Sequence, residues 1–207
     1  MKYEPLAKSL IATSLALSCL MAHAASVAPV AAENGMVVTA QHLATHVGVD
    51  VLKSGGNAVD AAVAVGYALA VVYPAAGNLG GGGFMTIQLA DGRKTFLDFR
   101  EKAPLAATAN MYLDKEGNVI PDLSTRGHLA VGVPGTVSGM ELALSKYGTK
   151  PRKDMIAPAI KLAEDGFELE QGDVELLEYA TDVFKKDMRD SGSIFLHNGE
   201  PMQVGQK

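Results

Sequence analysis

Residues Gly77–Phe84 read Gly-Asn-Leu-Gly-Gly-Gly-Gly-Phe, four consecutive glycines between an apolar helix-like run and an alternating strand-like run. A helix-like run passing into a strand-like run through bare backbone is the setting in which phosphate cradles form. Spacing tests the phosphate reading. A dinucleotide fingerprint needs glycines at i, i+2 and i+5. Pairing Gly80 with Gly82 would require glycine at Met85, and pairing Gly81 with Gly83 would require it at Thr86. A Walker loop needs Lys-Ser or Lys-Thr after its last glycine, and Phe84-Met85 follows instead. Both fingerprints fail, so the bare backbone serves something else.

Upstream, Ala58–Tyr73 is apolar nearly all round and stops at Pro74. Asn57 is placed to cap it and Asp60 lies in its first turn, where the positive helix end favours a carboxylate. Its length is too short for a membrane span, so it reads as a buried core helix. A second helix starts at Gln41, with Leu43, Val47 and Val51 four apart, and Gly55-Gly56 ends it. Met36–Thr39 reads as a short strand.

Downstream, Phe84–Ala90 and Arg93–Glu101 flank Asp91-Gly92, a two-residue hairpin signal. That loop predicts Ile87 opposite Phe96, Met85 opposite Asp98 and Gly83 opposite Arg100. Leu97 and Phe99 then share a core-facing side, and the glycine run lies beside the strand end that carries Arg100. Residues 119–133 read as loop and short strand. Further helices are predicted over Thr136–Tyr147, Lys153–Asp165 and Glu170–Met188, the last with Val174, Leu177, Val183 and Phe184 inward. A strand at Ile194–Leu196, a turn at Asn198-Gly199 and a strand at Met202–Val204 close the pattern, which predicts a chain that continues past Lys207.

The 207 residues are nearly half apolar and carry a net charge of −5, with no basic stripe, which excludes a nucleic-acid partner. Lys2 and Lys8, the apolar run Ser9–Met21 and Ala22-His23-Ala24 predict a secretory leader over residues 1–24, cleaved after Ala24. The mature chain would then hold no cysteine and no membrane segment, which suits a periplasmic or secreted protein held together by packing.

Candidate chemistry is sparse. His42 and His46 share a helix face, but Leu-Ala-Thr between them lacks the glutamate of a zinc-protease helix, so they read as partly exposed surface histidines. No Gly-x-Ser-x-Gly elbow is present, and no activated nucleophile can be assigned. Arg100 has two readings. It is a surface arginine paired to Asp98 or Glu101, or it is a carboxylate clamp, whose planar fork binds both oxygens and needs ligand room beside it. Sequence alone leaves both open.

Five segments together resemble the bacterial gamma-glutamyltransferases (gamma-glutamyl transpeptidases, also glutathione hydrolases). They are Ser54–Ala64 (SGGNAVDAAVA), Gly77–Met85 (GNLGGGGFM), Leu97–Pro104 (LDFREKAP), Val131–Gly139 (VGVPGTVSG) and Ala157–Phe167 (APAIKLAEDGF). The resemblance implies an N-terminal nucleophile hydrolase of the α/β class with an αββα sandwich, only partly contained here, and places residues 25–207 in the N-terminal part of a large subunit. It implies a precursor that cuts itself, exposing a threonine at the start of a small subunit. That threonine, activated by its own amine, attacks the gamma-glutamyl amide of glutathione. The acyl group then passes to water, an amino acid or a peptide. No metal or organic cofactor is implied. Arg100 matches the family arginine that binds the alpha-carboxylate of the gamma-glutamyl group.

The resemblance also places the catalytic threonine, the amine-binding residues and the oxyanion site beyond Lys207, so no catalytic residue lies in this chain and the chain alone should be inactive. The competing readings are a cephalosporin or glutaryl acylase of the same superfamily, and a truncated product without enzymatic activity.

Overall fold

The structure, a computed structural model, describes residues 28–186 and 191–207. The predicted leader therefore lies outside the described residues. Residues 28–34 end a first unit and form neither helix nor strand, and the rest of the chain, Gly35–Lys207, is a second compact unit.

Helices α1 (His42–Lys53) and α2 (Ala58–Val72) form as the periodicity predicts. Asn57 accepts from the N–H groups of Val59 and Asp60 at 2.8 and 3.0 Å, while Asp60 accepts from the Asn57 N–H at 2.8 Å. This reciprocal capping box satisfies donors that the first helical turn leaves open. Val63, Ala64, Ala68 and Val72 of α2 are fully buried, which accounts for its apolar character on all sides. Helices α1 and α4 (Arg152–Asp165) both pack on α2, and α3 (Thr136–Tyr147) crosses it close to Gly66, where an added Cβ would come 2.6 Å from the Met140 sulfur. Pro158 lies in the second turn of α4, at the cost of one intrahelical hydrogen bond.

Strands β1 (Phe84–Gln88) and β2 (Lys94–Asp98) form the predicted hairpin, but in a different register. Phe84 pairs with Asp98, Met85 with Leu97 and Ile87 with Thr95. The two-residue loop is wrong. Leu89 and Arg93 pair instead, the Gly92 N–H returns to the Leu89 carbonyl at 3.0 Å, and Gly92 is left-handed at φ 86°. That is a three-residue loop, a tight turn followed by a glycine bulge. The shift has a packing cause. It puts Ile87 and Leu97 on one face, where both are buried; the expected register would have set them on opposite faces. The outer face carries Phe84 stacked diagonally on Phe96, ring centroids 5.8 Å apart.

Three other expectations fail locally. Met36–Thr39 forms no strand; Val37 packs beside Gly48 of α1 instead. The helix expected over Glu170–Met188 is two helices, α5 (Gln171–Glu178) and α6 (Thr181–Lys186), with residues 187–190 outside the described set. The break at Tyr179-Ala180 turns Phe184 to stack on Phe195 at 5.0 Å and leaves Val183 half exposed. Packing here overrides the helical period. Residues Ser191–Phe195 are helical (α7), so the last hairpin shrinks to β3 (Leu196–His197) and β4 (Glu200–Pro201) around Asn198-Gly199, both left-handed. Met202–Val204 forms no strand.

Candidate substrate-binding site

The backbone leaving β2 alternates sides. Phe99 turns inward, half buried, against the core cluster that includes Leu97 and Met140. Its N–H donates to the Gly83 carbonyl at 3.1 Å, so Gly83 faces Phe99 and not Arg100. The residue beside Arg100 is Gly82. A side chain at Gly82 would overlap the Glu101 amide and lie 2.8 Å from the Arg100 carbonyl carbon. The glycine run does lie against the strand end that carries Arg100, one residue out of the expected register.

A second close approach comes from the chain just before α3. Gly135, which precedes α3, abuts the Phe99 carbonyl so closely that a Cβ there would collide with its oxygen. Gly77 abuts the Leu69 carbonyl in the same manner. None of the glycines from 77 to 83 has a left-handed backbone. The stretch is therefore small for contact, with its polar groups turned to neighbouring backbone. The Gly81 carbonyl accepts from the N–H groups of Gly135 and Thr136 at 2.8 and 3.1 Å, and the Asn78 side chain accepts from the Gly81 N–H at 2.9 Å.

Arg100 itself is exposed, at the edge of a cleft of about 240 Å³ that Asp98, Lys102, Val133, Pro134, Ser138 and Leu142 also line. Its N–H donates to the Asp98 carboxylate at 3.0 Å, a local turn bond. Its guanidinium forms no ion pair with Asp98, Glu101 or any other described residue. The start of α3, where the helix presents its positive end, opens onto the same cleft.

The other polar centre has the opposite character. Asp60, fully buried, accepts from the Thr149 hydroxyl at 2.6 Å and from the Thr149 and Lys150 N–H groups at 2.8 and 3.0 Å, besides its capping bond. Burial alone would raise its pKa. The Thr149 hydroxyl and the N–H groups of Asn57, Lys150 and Thr149 outweigh it and hold the carboxyl below its ordinary value. With every lone pair engaged, Asp60 is structural.

The histidines do not converge. His42 and His46 meet edge to face at 6.1 Å, and His42 Nδ1 lies 3.3 Å from a Glu170 carboxylate oxygen. Among the described residues no three His, Cys, Asp or Glu side chains gather as a metal site. An apolar cleft of about 500 Å³ between the end of α2 and α5–α7 includes Tyr73, Leu176, Phe184 and Phe195, and the described residues that line it include no cationic side chain to meet a carboxylate.

The sequence pattern singles out Arg100 and the glycines but gives no sign of the bond from the Thr136 hydroxyl to the Asn78 side chain, 2.7 Å across 58 positions of chain. A local pattern carries no signal for such a pair.

Comparison with known proteins follows the same segments. The family model described as Gamma-glutamyltranspeptidase matches residues 44–207. The glutathione hydrolase proenzyme of Pseudomonas sp. (strain A14) is 70% identical over all 207 residues, which cover 36% of that protein. The crystal structure of Helicobacter pylori gamma-glutamyltranspeptidase superposes with a TM-score of 0.82 at 52% identity, covering 86% of this chain and 51% of that one. The cephalosporin acylase from Bacillus halodurans shares the fold at a TM-score of 0.71 and 27% identity, covering 89% of this chain and 36% of that one. The architecture is that of the N-terminal nucleophile hydrolases, and the chain spans about a third of the length of the curated relatives it matches.

Proposed function

The chain belongs to the gamma-glutamyltranspeptidase family, and we propose that it is part of a proenzyme that cleaves the gamma-glutamyl amide of glutathione. The observation that carries this reading is 70% identity, held across the whole chain, to a glutathione hydrolase proenzyme. In the full-length protein an N-terminal threonine of a second subunit attacks the amide carbonyl and expels cysteinylglycine. Its own amine takes the proton, and water, an amino acid or a peptide then accepts the gamma-glutamyl group. No cofactor takes part.

The role proposed for this chain is substrate binding through Arg100. A guanidinium with no ionic partner among the described residues, at the edge of a cleft onto which the positive end of α3 opens, suits a carboxylate held by two parallel hydrogen bonds. Binding the alpha-carboxylate there positions the gamma-amide at a fixed distance from the clamp, so the nucleophile meets one carbonyl only. In the full-length enzyme, Arg100→Ala is expected to lower kcat/KM for glutathione about 30-fold or more, the cost of leaving the substrate carboxylate without its charge-assisted partner. Arg100→Lys recovers part, since an ammonium keeps the charge and loses the planar fork. Subunit bands on a gel stay normal in both, because self-cleavage involves no free glutamyl carboxylate. Normal maturation with unchanged kcat/KM in Arg100→Ala would return Arg100 to the surface.

Export is part of the proposal. A leader over residues 1–24 would deliver the proenzyme to the periplasm or medium, and no helix among the described residues is long and apolar enough to cross a membrane. The mature N-terminus, read by mass spectrometry, should be Ala25; an intact Met1 would contradict it. The acylase reading has the weaker support, 27% identity against 52%, and turnover of a glutaryl amide in preference to glutathione would favour it.

A further inference from the structure

Two glycine jaws touch the backbone that carries Arg100. Gly82 rests on the peptide joining Arg100 to Glu101, and Gly135 rests on the Phe99 carbonyl, with the Arg100 carbonyl oxygen 3.3 Å from where its Cβ would be. Neither jaw belongs to the strand it grips. They are held to each other, because the Gly81 carbonyl takes the Gly135 and Thr136 N–H groups. One side-chain pair closes the arrangement. Asn78 Oδ1 accepts both the Gly81 N–H at 2.9 Å and the buried Thr136 hydroxyl at 2.7 Å, while its amide donates to the Ala76 carbonyl at 3.0 Å.

We propose that Asn78 and Thr136 are positioning residues for Arg100: their hydrogen bond latches the glycine loop to the start of α3 and so sets where the guanidinium stands. The proposal rests on the reading of Arg100 as the carboxylate clamp. Neither Asn78 nor Thr136 lines the Arg100 cleft. Without it the two jaws keep only their backbone bonds, and the Phe99–Glu101 segment gains freedom to shift. A shift on the order of 1 Å in a group that orients substrate costs up to about a hundredfold in rate. The loss falls on recognition of the glutamyl carboxylate, not on the acyl chemistry, so KM rises more than kcat falls.

The test uses the full-length, self-processed enzyme with a gamma-glutamyl anilide. Asn78→Ala and Thr136→Val are each made alone and in an Arg100→Ala background, with Thr136→Ser as the conservative variant that keeps the hydroxyl. Asn78→Ala and Thr136→Val should each lower kcat/KM roughly tenfold, mostly through KM. Thr136→Ser should stay within about twofold of wild type. In the Arg100→Ala background both changes should have no further effect, because there is no clamp left to misplace. A merely structural role would lower kcat/KM by the same factor in both backgrounds, and that result would overturn the proposal. So would near-normal KM in both single variants. If Arg100→Ala alone leaves kcat/KM unchanged, the clamp itself is wrong and the latch falls with it; if Arg100→Ala is crippled while Asn78→Ala and Thr136→Val are normal, the clamp stands and only the latch fails. Should Asn78→Ala not mature, Thr136→Val and Thr136→Ser carry the same comparison.

Discussion

Asp60 and Arg100 are two charged side chains with opposite surroundings. Asp60 is buried where α2 begins, and four hydrogen-bond donors converge on it, one from its own cap residue Asn57 and three from the distant Thr149–Lys150 segment. Arg100 is exposed, its side chain has no ionic partner among the described residues, and only its backbone is gripped. A charge that is fully engaged ties the chain together, and a charge left unengaged on a rigid mount is available for a ligand. The difference also separates two kinds of measurement: disturbing the first should change stability, and disturbing the second should change substrate recognition.

The largest stability effect is expected at Asp60. Asp60→Ala strands buried donors of Asn57, Thr149 and Lys150, at a cost of about 3–5 kcal/mol in urea unfolding of the full-length protein. Its ionisation adds a pH signature. Because the folded pKa lies below the ordinary value of 3.8, the contribution is complete above that value and is lost as pH falls through the folded pKa. Wild type should therefore lose stability more steeply than Asp60→Asn below about pH 4. Parallel acid limbs would mean that Asp60 is not held as a carboxylate.

A smaller and more selective effect is expected within the four glycines. Gly82→Ala drives a methyl into the Arg100–Glu101 backbone and should cost roughly 2–3 kcal/mol, with raised KM. Gly80→Ala, two positions away, meets nothing within 4 Å and should change stability by less than about 0.5 kcal/mol. Equal penalties at the two positions would show that the run needs glycine for its backbone conformation and not for contact.

The two regions also differ in how far the sequence foretold them. The Asn57–Asp60 cap and the apolar α2 were legible because capping and periodicity act within a few residues, and they appear with the expected ends to within a residue. The mount of Arg100 was legible only in outline. The Asp91-Gly92 signal predicts a two-residue turn, but burial of Ile87 and Leu97 on one face selects the three-residue loop, and every cross-strand partner moves by one. The role proposed for Arg100 does not depend on that register, because it rests on the motif Asp98-Phe99-Arg100-Glu101. The break at Tyr179-Ala180 was invisible for a related reason, since stacking of Phe184 on Phe195 is a contact the helical period does not encode.

The clamp is tested most directly by removing each partner in turn and then both. Wild-type and Arg100→Ala full-length enzymes would each be assayed with a gamma-glutamyl anilide and with its alpha-methyl ester, which lacks the carboxylate charge. If Arg100 binds that carboxylate, wild type should prefer the free acid by about 30-fold or more in kcat/KM, and Arg100→Ala should treat the two substrates nearly alike. A preference for the free acid that persists undiminished in Arg100→Ala would mean that another group binds the carboxylate, and the central claim would be wrong.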